Sequence, residues 1–246
     1  MSHEIETMAY AGETPWHGLG NPVSNNMTPE EMLVAADLNW TVSKRQAYTL
    51  DNPNCLNLLD PRSEANFLRC DGNYFLTRDS DNKILSPCGE GYVPFQNHQV
   101  LDFFKKFTEA GNMQMETAGS LKAGKDIWGL AKLNQKYELA GNDEVGGYLL
   151  VNNSHTVGKA MTIMFTPIRV VCNNTLTLAL NQVGAKFRVV HLQMFDEEIK
   201  KAAEESLGLS GVQMTQFKEQ SEYLSSKKYK TGSLENFVAD LFQPTL

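Results

Sequence analysis

Cysteine is scarce in this chain, and what there is lies scattered. Cys55, Cys70, Cys88 and Cys172 form no Cys-x-x-Cys pair. That spacing excludes a common zinc framework and predicts free thiols in a reducing compartment. Histidine is equally thin: His3, His17, His98, His155 and His191 stand far apart, with no two at helical ligand spacing and no acidic cluster nearby. Glycine pairs such as Gly146-Gly147 match neither a phosphate-binding loop nor a dinucleotide fingerprint. No metal and no cofactor is therefore expected. No apolar run approaches the roughly 18 residues of a membrane span. The opening MSHEIETMAY also lacks the basic-then-apolar layout of a secretory signal. A cytoplasmic protein without a membrane partner is the expectation. Positive charge is in deficit too, with 22 Lys and Arg against 29 Asp and Glu and a net charge of −7. Such a balance works against non-specific attraction to nucleic acid, so any DNA-binding role must rest on a local patch.

What is present is ordinary globular material. Of 246 residues 41% are hydrophobic and 21% charged, enough for one large domain or two small ones with a real core. The most informative stretch runs from Glu144 to Gln182. Its apolar run Tyr148-Leu149-Leu150-Val151 reads as a strand buried on both faces. Asn152-Asn153-Ser154-His155 reads as a turn, because short polar side chains bond their own backbone. A second strand over 160–165 and a third over 168–171 follow, bent apart at Thr166-Pro167. Cys172-Asn173-Asn174-Thr175 then opens a helix, with Asn or Thr as its cap.

Upstream, residues 1–29 read as irregular, with Trp16-His17 pinning a Gly-rich loop onto the core or meeting a ligand. Thr28-Pro29-Glu30-Glu31 carries the signature of a helix start: a capping Thr, Pro at the first position and Glu at the third. Residues 40–50 read as a strand. Asp71-Gly72, between apolar flanks, predicts a two-residue hairpin turn. A short strand over 91–95 leads to a strongly apolar helix from His98 to about Ala110, and two more strands cover 113–118 and 126–133. After a strand over 186–192, the segments 197–207, 212–225 and 234–242 read as three helices. The expected architecture is α+β: a mostly antiparallel sheet with packed helices over residues 1–192, and a helical segment over 193–246 packed on it.

The pieces Glu13-Thr14-Pro15-Trp16-His17-Gly18-Leu19-Gly20, YVPFQN at 92–97, Asn153-Ser154-His155 and TPIRVVCNNTL at 166–176 occur in that order. Together they resemble the phage- and plasmid-like protein family built on domain of unknown function 932. The resemblance spans nearly the whole chain, and it implies a mobile-element origin, a bacteriophage and its bacterial host's cytoplasm. It implies no established activity. One departure is visible: Thr156-Val157-Gly158 stands where members have Asp-Gly after the Ser-His pair.

Arg169 sits inside the hydrophobic unit, where a charge must be paired or must face something anionic. Two readings stay open. Arg169 closes an internal ion pair with an acid such as Glu144 or Asp126, or it joins Lys186, Arg188, Asn173 and Asn174 in an anion site at a helix N-terminus. In the second reading the strand over 186–192 pairs beside 168–171. Lys227, Lys228, Tyr229 and Lys230 form either a solvated loop or a grip on a nucleic-acid backbone with a stacking ring. Cys172 with His155 or His191 reads as a nucleophile and base, or as a buried apolar filler. The leading functional expectation is a non-enzymatic protein binding single-stranded DNA in replication or recombination. The alternatives are a module that binds a host factor or host defence system, and a Cys/His hydrolase or transferase. A homo-oligomer is compatible with each, and no catalytic residue is assigned.

Overall fold

The computed structural model describes residues 3–50, 67–139 and 143–206. In chain order its elements are β1 (Ile5–Ala11), β2 (Asn21–Val23), α1 (Pro29–Ala35), β3 (Val42–Leu50), β4 (Phe67–Arg78), β5 (Lys83–Gly89), α2 (Asn97–Asp102), α3 (Lys105–Glu109), β6 (Met113–Leu121), β7 (Asp126–Leu139), β8 (Asp143–Ser154), β9 (Met161–Thr166), α4 (Asn173–Asn181), β10 (Lys186–Val189) and α5 (Glu197–Ser206). A seven-stranded sheet runs in the order β10-β9-β8-β7-β6-β1-β2, and a second sheet in the order β3-β4-β5. Every pairing is antiparallel except β1 with β2. The fold is α+β, as the pattern predicts.

Alternation along β8 shows how the large sheet buries both faces. Leu149 and Val151 enter one core with Met32 of α1, Leu101 of α2 and Phe107 of α3. Tyr148 and Leu150 enter the other, with Val170, Val171 and, from α4, Leu176 and Ala179. Fully burying each such large side chain stabilises by about 1.5–3 kcal/mol, which makes a run of them a strong constraint on register. On the α4 face the Trp128 indole lies over Gly119, where an added Cβ would overlap both the ring and the Thr7 carbonyl. Trp128 Nε1 donates to Thr117 Oγ1 at 3.1 Å, and that hydroxyl donates to the Val170 carbonyl at 2.6 Å. The small sheet joins the large one through Arg78, whose guanidinium donates twice to Glu6 of β1 and twice to Asp81.

Helix α1 begins as its sequence dictates. Glu31 N donates to Thr28 Oγ1 at 3.2 Å, and Thr28 N donates back to the Glu31 carboxylate at 2.9 Å. Elsewhere tertiary structure overrides local pattern. Asp71-Gly72 is not a hairpin turn: residues 67–78 form the single strand β4, and residues 70–73 bulge out opposite Ala47 between the pairs Gln46↔Tyr74 and Tyr48↔Arg69. The dipeptide supplies the positive φ that such a bulge needs, at Gly72 (φ +73°). Gln46 Nε2 seals the bulge by donating to the carbonyls of Cys70, at 2.7 Å, and Asn73, at 3.1 Å.

Asn152, Asn153 and Ser154 belong to β8 rather than to a turn, because their side chains find partners on other elements. Asn152 Nδ2 donates to the Ile127 carbonyl at 2.9 Å, and Asn153 Nδ2 to the Phe95 carbonyl at 3.4 Å. Residues 168–171 are not a strand. Side chains serve their backbone instead: Thr117 Oγ1 donates to Val170 O, and Thr175 Oγ1 accepts from Val171 N at 2.9 Å. Strand β10 therefore pairs with β9, through Lys186↔Met164 and Arg188↔Thr162. The expected helix over 98–110 is two helices, divided at the adjacent buried rings Phe103 and Phe104. Residues 91–95 carry no strand, whereas residues 5–11, read as irregular, form β1. The segments 212–225 and 234–242, with Lys227, Lys228, Tyr229 and Lys230, lie outside the described residues. Cys70, Cys88 and Cys172 are free thiols, and Cys55 falls outside the description.

Candidate functional site

The N-terminal end of α4 gathers distant parts of the chain. Its first amide, Asn173 N, donates to the His3 carbonyl at 3.1 Å. Cys172 is the N-cap, and Thr175 at the third position closes the box by accepting from Cys172 N at 3.0 Å. Asn174 is exposed and Asn173 half-buried. Against this end lies the glycine-rich loop. Gly18 N donates to the Pro15 carbonyl at 2.8 Å in a tight turn that Gly18 permits at φ +69°. Leu19 N donates to His17 Nδ1 at 3.1 Å, so the ring proton sits on Nε2, which donates to the Val171 carbonyl at 3.0 Å. His17 is thereby a strut that fixes its loop to the α4 face.

The neighbouring Trp16 is 71% exposed, while the other two tryptophans, Trp40 and Trp128, are buried at 9% and 0%. Its indole meets the rings of His3 and His17 edge-on, with centroids 4.7 and 5.3 Å away. A large aromatic is thus presented to solvent on a loop that its neighbours immobilise.

Arg169 closes an ion pair, with a partner that sequence reasoning did not name. Its Nε donates to Glu116 Oε1 at 2.5 Å, Nη1 to the Glu13 carbonyl at 2.8 Å and Nη2 to the Ala11 carbonyl at 2.7 Å. The side chains of Arg169 and Glu116 are 22% and 12% exposed. Asp126 is engaged elsewhere, with Lys159 and Lys122. Burial pushes the Asp126 carboxyl up, but hydrogen bonds from Ser154 and Lys159 outweigh that and leave it below the usual range. Beside Arg169 opens a groove of about 310 Å³ lined by Glu13, Asn25, Gln114, Glu116, Lys132 and Tyr148, among others. Burial, reinforced by Glu116, raises the Tyr148 hydroxyl above its ordinary value, so it stays protonated and able to donate.

The other predicted cations do not join Arg169. Strand β10 is the far edge of the sheet, four strands from Glu116 on β6, a separation of roughly 19 Å. Lys186 Nζ caps the end of α4 by donating to the Leu180 carbonyl at 2.6 Å, and Arg188 is exposed. Cys172 is fully buried with its sulfur 3.6 Å from Thr175 Oγ1. Both nitrogens of the nearby His17 are already committed. His155 and His191 lie on the opposite face of the sheet and are not brought to Cys172.

That opposite face holds a second polar group. Asn97 Nδ2 donates to the carbonyls of Leu38 and Trp40, at 3.0 and 3.3 Å, which turns its Oδ1 to accept from His155 Nε2 at 3.0 Å. His191 stacks on Tyr92 with centroids 4.8 Å apart and donates from Nδ1 to the Val93 carbonyl at 3.1 Å. His155 Nδ1, His191 Nε2 and Asn153 Oδ1 are left as buried acceptors without a donor among the described residues. Burial lowers the pKa of both rings, that of His155 to about 3, with the neighbouring His191 adding to the effect. Both imidazoles are neutral. No group of three metal-ligating side chains forms among the described residues.

Domain of unknown function DUF932 matches residues 84–245, about two-thirds of the chain. The chain belongs to the DUF932 family. Within the matched DUF932 region lie YVPFQN, Asn153-Ser154-His155 and the segment around Arg169, whereas the loop carrying Trp16 and His17 precedes it. No curated protein and no solved structure matches this DUF932 chain. Sequence reasoning missed Glu116, Asn25 and Gln114 beside the Arg169 groove. No local signal marks them, because each is a lone polar residue, Glu116 and Gln114 brought in by the register of β6 and Asn25 by the turn after β2.

Proposed function

We propose that this chain is a non-enzymatic protein of a phage or other mobile element that binds single-stranded nucleic acid in the bacterial cytoplasm, in replication or recombination. The observation that carries the reading is the immobilised, exposed indole of Trp16 beside the first turn of α4. Bases stack on such a ring whatever their sequence, and a rigid ring loses little entropy on binding. The adjacent helix start, with exposed Asn174, suits an anion such as a backbone phosphate. In this reading the phosphate contact falls to the helix end, since Arg169 is occupied by Glu116 and two carbonyls.

Trp16 also supplies the assay. It is the one exposed tryptophan of the chain's three, so emission from a solvated indole reports on this ring. Titration with an oligo(dT) of about 15 nucleotides should quench it, with affinity falling as salt rises. Trp16→Ala should abolish the quench and weaken binding by about 1–3 kcal/mol. Unchanged emission together with no salt-dependent gel shift would defeat the reading. A second reading, a module that binds a host protein, draws on the exposed apolar residues Tyr48, Phe67 and Leu68 of β3 and β4. It predicts that the oligonucleotide leaves Trp16 emission untouched.

A further inference from the structure

The groove at Arg169 does not end at β6. A second cavity of about 220 Å³ adjoins it and shares Asn25 and Gln114 with it, so the two form one trough along the start of β6. The first cavity is rimmed by Glu13, from the loop that carries Trp16. The second adds Asn26, Thr28, Thr108, Glu109 and Asn134, so amides and hydroxyls sit beside one further carboxylate. We propose that the trough receives bases of a single strand next to the one stacked on Trp16, and that it selects bases bearing an exocyclic amino group. The inference rests on the single-strand reading above.

Charge decides which part of a strand can enter. Arg169 turns Nε, Nη1 and Nη2 to Glu116 and to the carbonyls of Glu13 and Ala11, so the trough is not a phosphate cradle. Glu13 and Glu116 offset Lys132 and Arg169 in the first cavity, so its lining carries no net positive charge to draw phosphates in, and the backbone stays outside. A base edge, by contrast, carries neutral donors and acceptors. Glu116 is a fixed acceptor: Arg169 orients one of its oxygens, and its side chain is only 12% exposed. A partly desolvated carboxylate is a strong partner for an amino group, as in the pairing of Glu with cytosine N4. Gln114 and Asn25, both exposed, each offer a donor beside an acceptor, the pattern that matches adenine N6 and N7. Tyr148 contributes a hydroxyl held in its protonated form. Thymine and uracil carry no exocyclic amine and leave the carboxylate unanswered.

The test compares oligo(dC) with oligo(dT) of equal length at neutral pH, read by Trp16 emission on the full chain. Oligo(dC) should bind about tenfold tighter, the discrimination of one good polar pairing. Glu116→Gln should bring that ratio towards one by weakening oligo(dC) more than oligo(dT), and Gln114→Ala should do the same to the ratio of oligo(dA) to oligo(dT). Gln114→Ala leaves the Arg169–Glu116 pair intact, so it separates lost selectivity from lost folding, and a thermal melt checks both variants. Equal affinities for oligo(dC) and oligo(dT) in the unmodified chain, or ratios that survive both substitutions, would overturn the selectivity while leaving single-strand binding in place. Absence of any quench with any of these strands would overturn both.

Discussion

The two faces of the large sheet bury polar groups in opposite ways. On the α1–α3 face, Asn97, Asn153, His155 and His191 sit deep and uncharged, joined by hydrogen bonds from amides and neutral rings. On the α4 face, a full charge is kept, but at the rim: Arg169 and Glu116 retain some exposure and border an open groove. Depth explains the difference. A charge far from water must be paired perfectly or abandoned, whereas at a rim water screens what the protein leaves unmet. The deep face is therefore brittle and sensitive to protons. The rim face tolerates change and remains available to a ligand.

The contrast breaks most sharply at Asn97. Asn97→Ala removes one side chain but strands three partners, the carbonyls of Leu38 and Trp40 and the His155 ring. A loss of about 3–4 kcal/mol is expected, measured by chemical denaturation, since each buried orphan costs about 1–3 kcal/mol. Arg169→Ala should cost less, about 2 kcal/mol, because its carboxylate partner can rehydrate at the groove. Lysine there should recover little, since one ammonium cannot reach Glu116 and two carbonyls together. If the two melts moved equally, depth would not be the governing variable.

Acid should sharpen the same distinction. His155 and His191 have folded-state pKa values below that of a free imidazole, near 6.5, so below that pH the unfolded chain binds more protons. Stability is full above about pH 6.5 and falls as the pH drops towards the folded pKa of His155 at about 3. From pH 7 to 5 a loss of about 2 kcal/mol is expected from His155. His155→Gln should flatten that slope, and an unchanged slope would show that other groups cause it. The smallest effect belongs to Lys186→Ala, which removes the cation at the C-terminal end of α4 and should cost about 0.3–1 kcal/mol.

Much of the fold was legible because its elements announce themselves locally. The Thr28 capping box, the apolar run of β8 and the polar-to-helical switch at Cys172 each appear where the residues predict them. The failures share a cause: partners that lie far along the chain. Asn152 and Asn153 look like turn residues until carbonyls of Ile127 and Phe95 accept their amides. Asp71-Gly72 has hairpin chemistry, but β3 pairs with the residues on both sides of it. At the candidate site, Arg169 stood out as a charge amid apolar residues, yet its partner Glu116 is 53 positions away, on β6. Trp16 was visible as an aromatic in a flexible-looking loop. Its rigidity was not, because it depends on a carbonyl 154 residues from His17.

Gly119 carries one further consequence, for how this chain can vary over generations. Trp128 occupies the volume that any side chain at 119 would need, and its ring nitrogen holds the Thr117 hydroxyl that anchors Val170 beside Arg169. A methyl group at 119 would displace the indole, break the anchor and unseat the groove in one step. Because the Thr7 carbonyl blocks the same volume, a smaller residue at 128 would not by itself admit a side chain at 119, and homologues should keep glycine there.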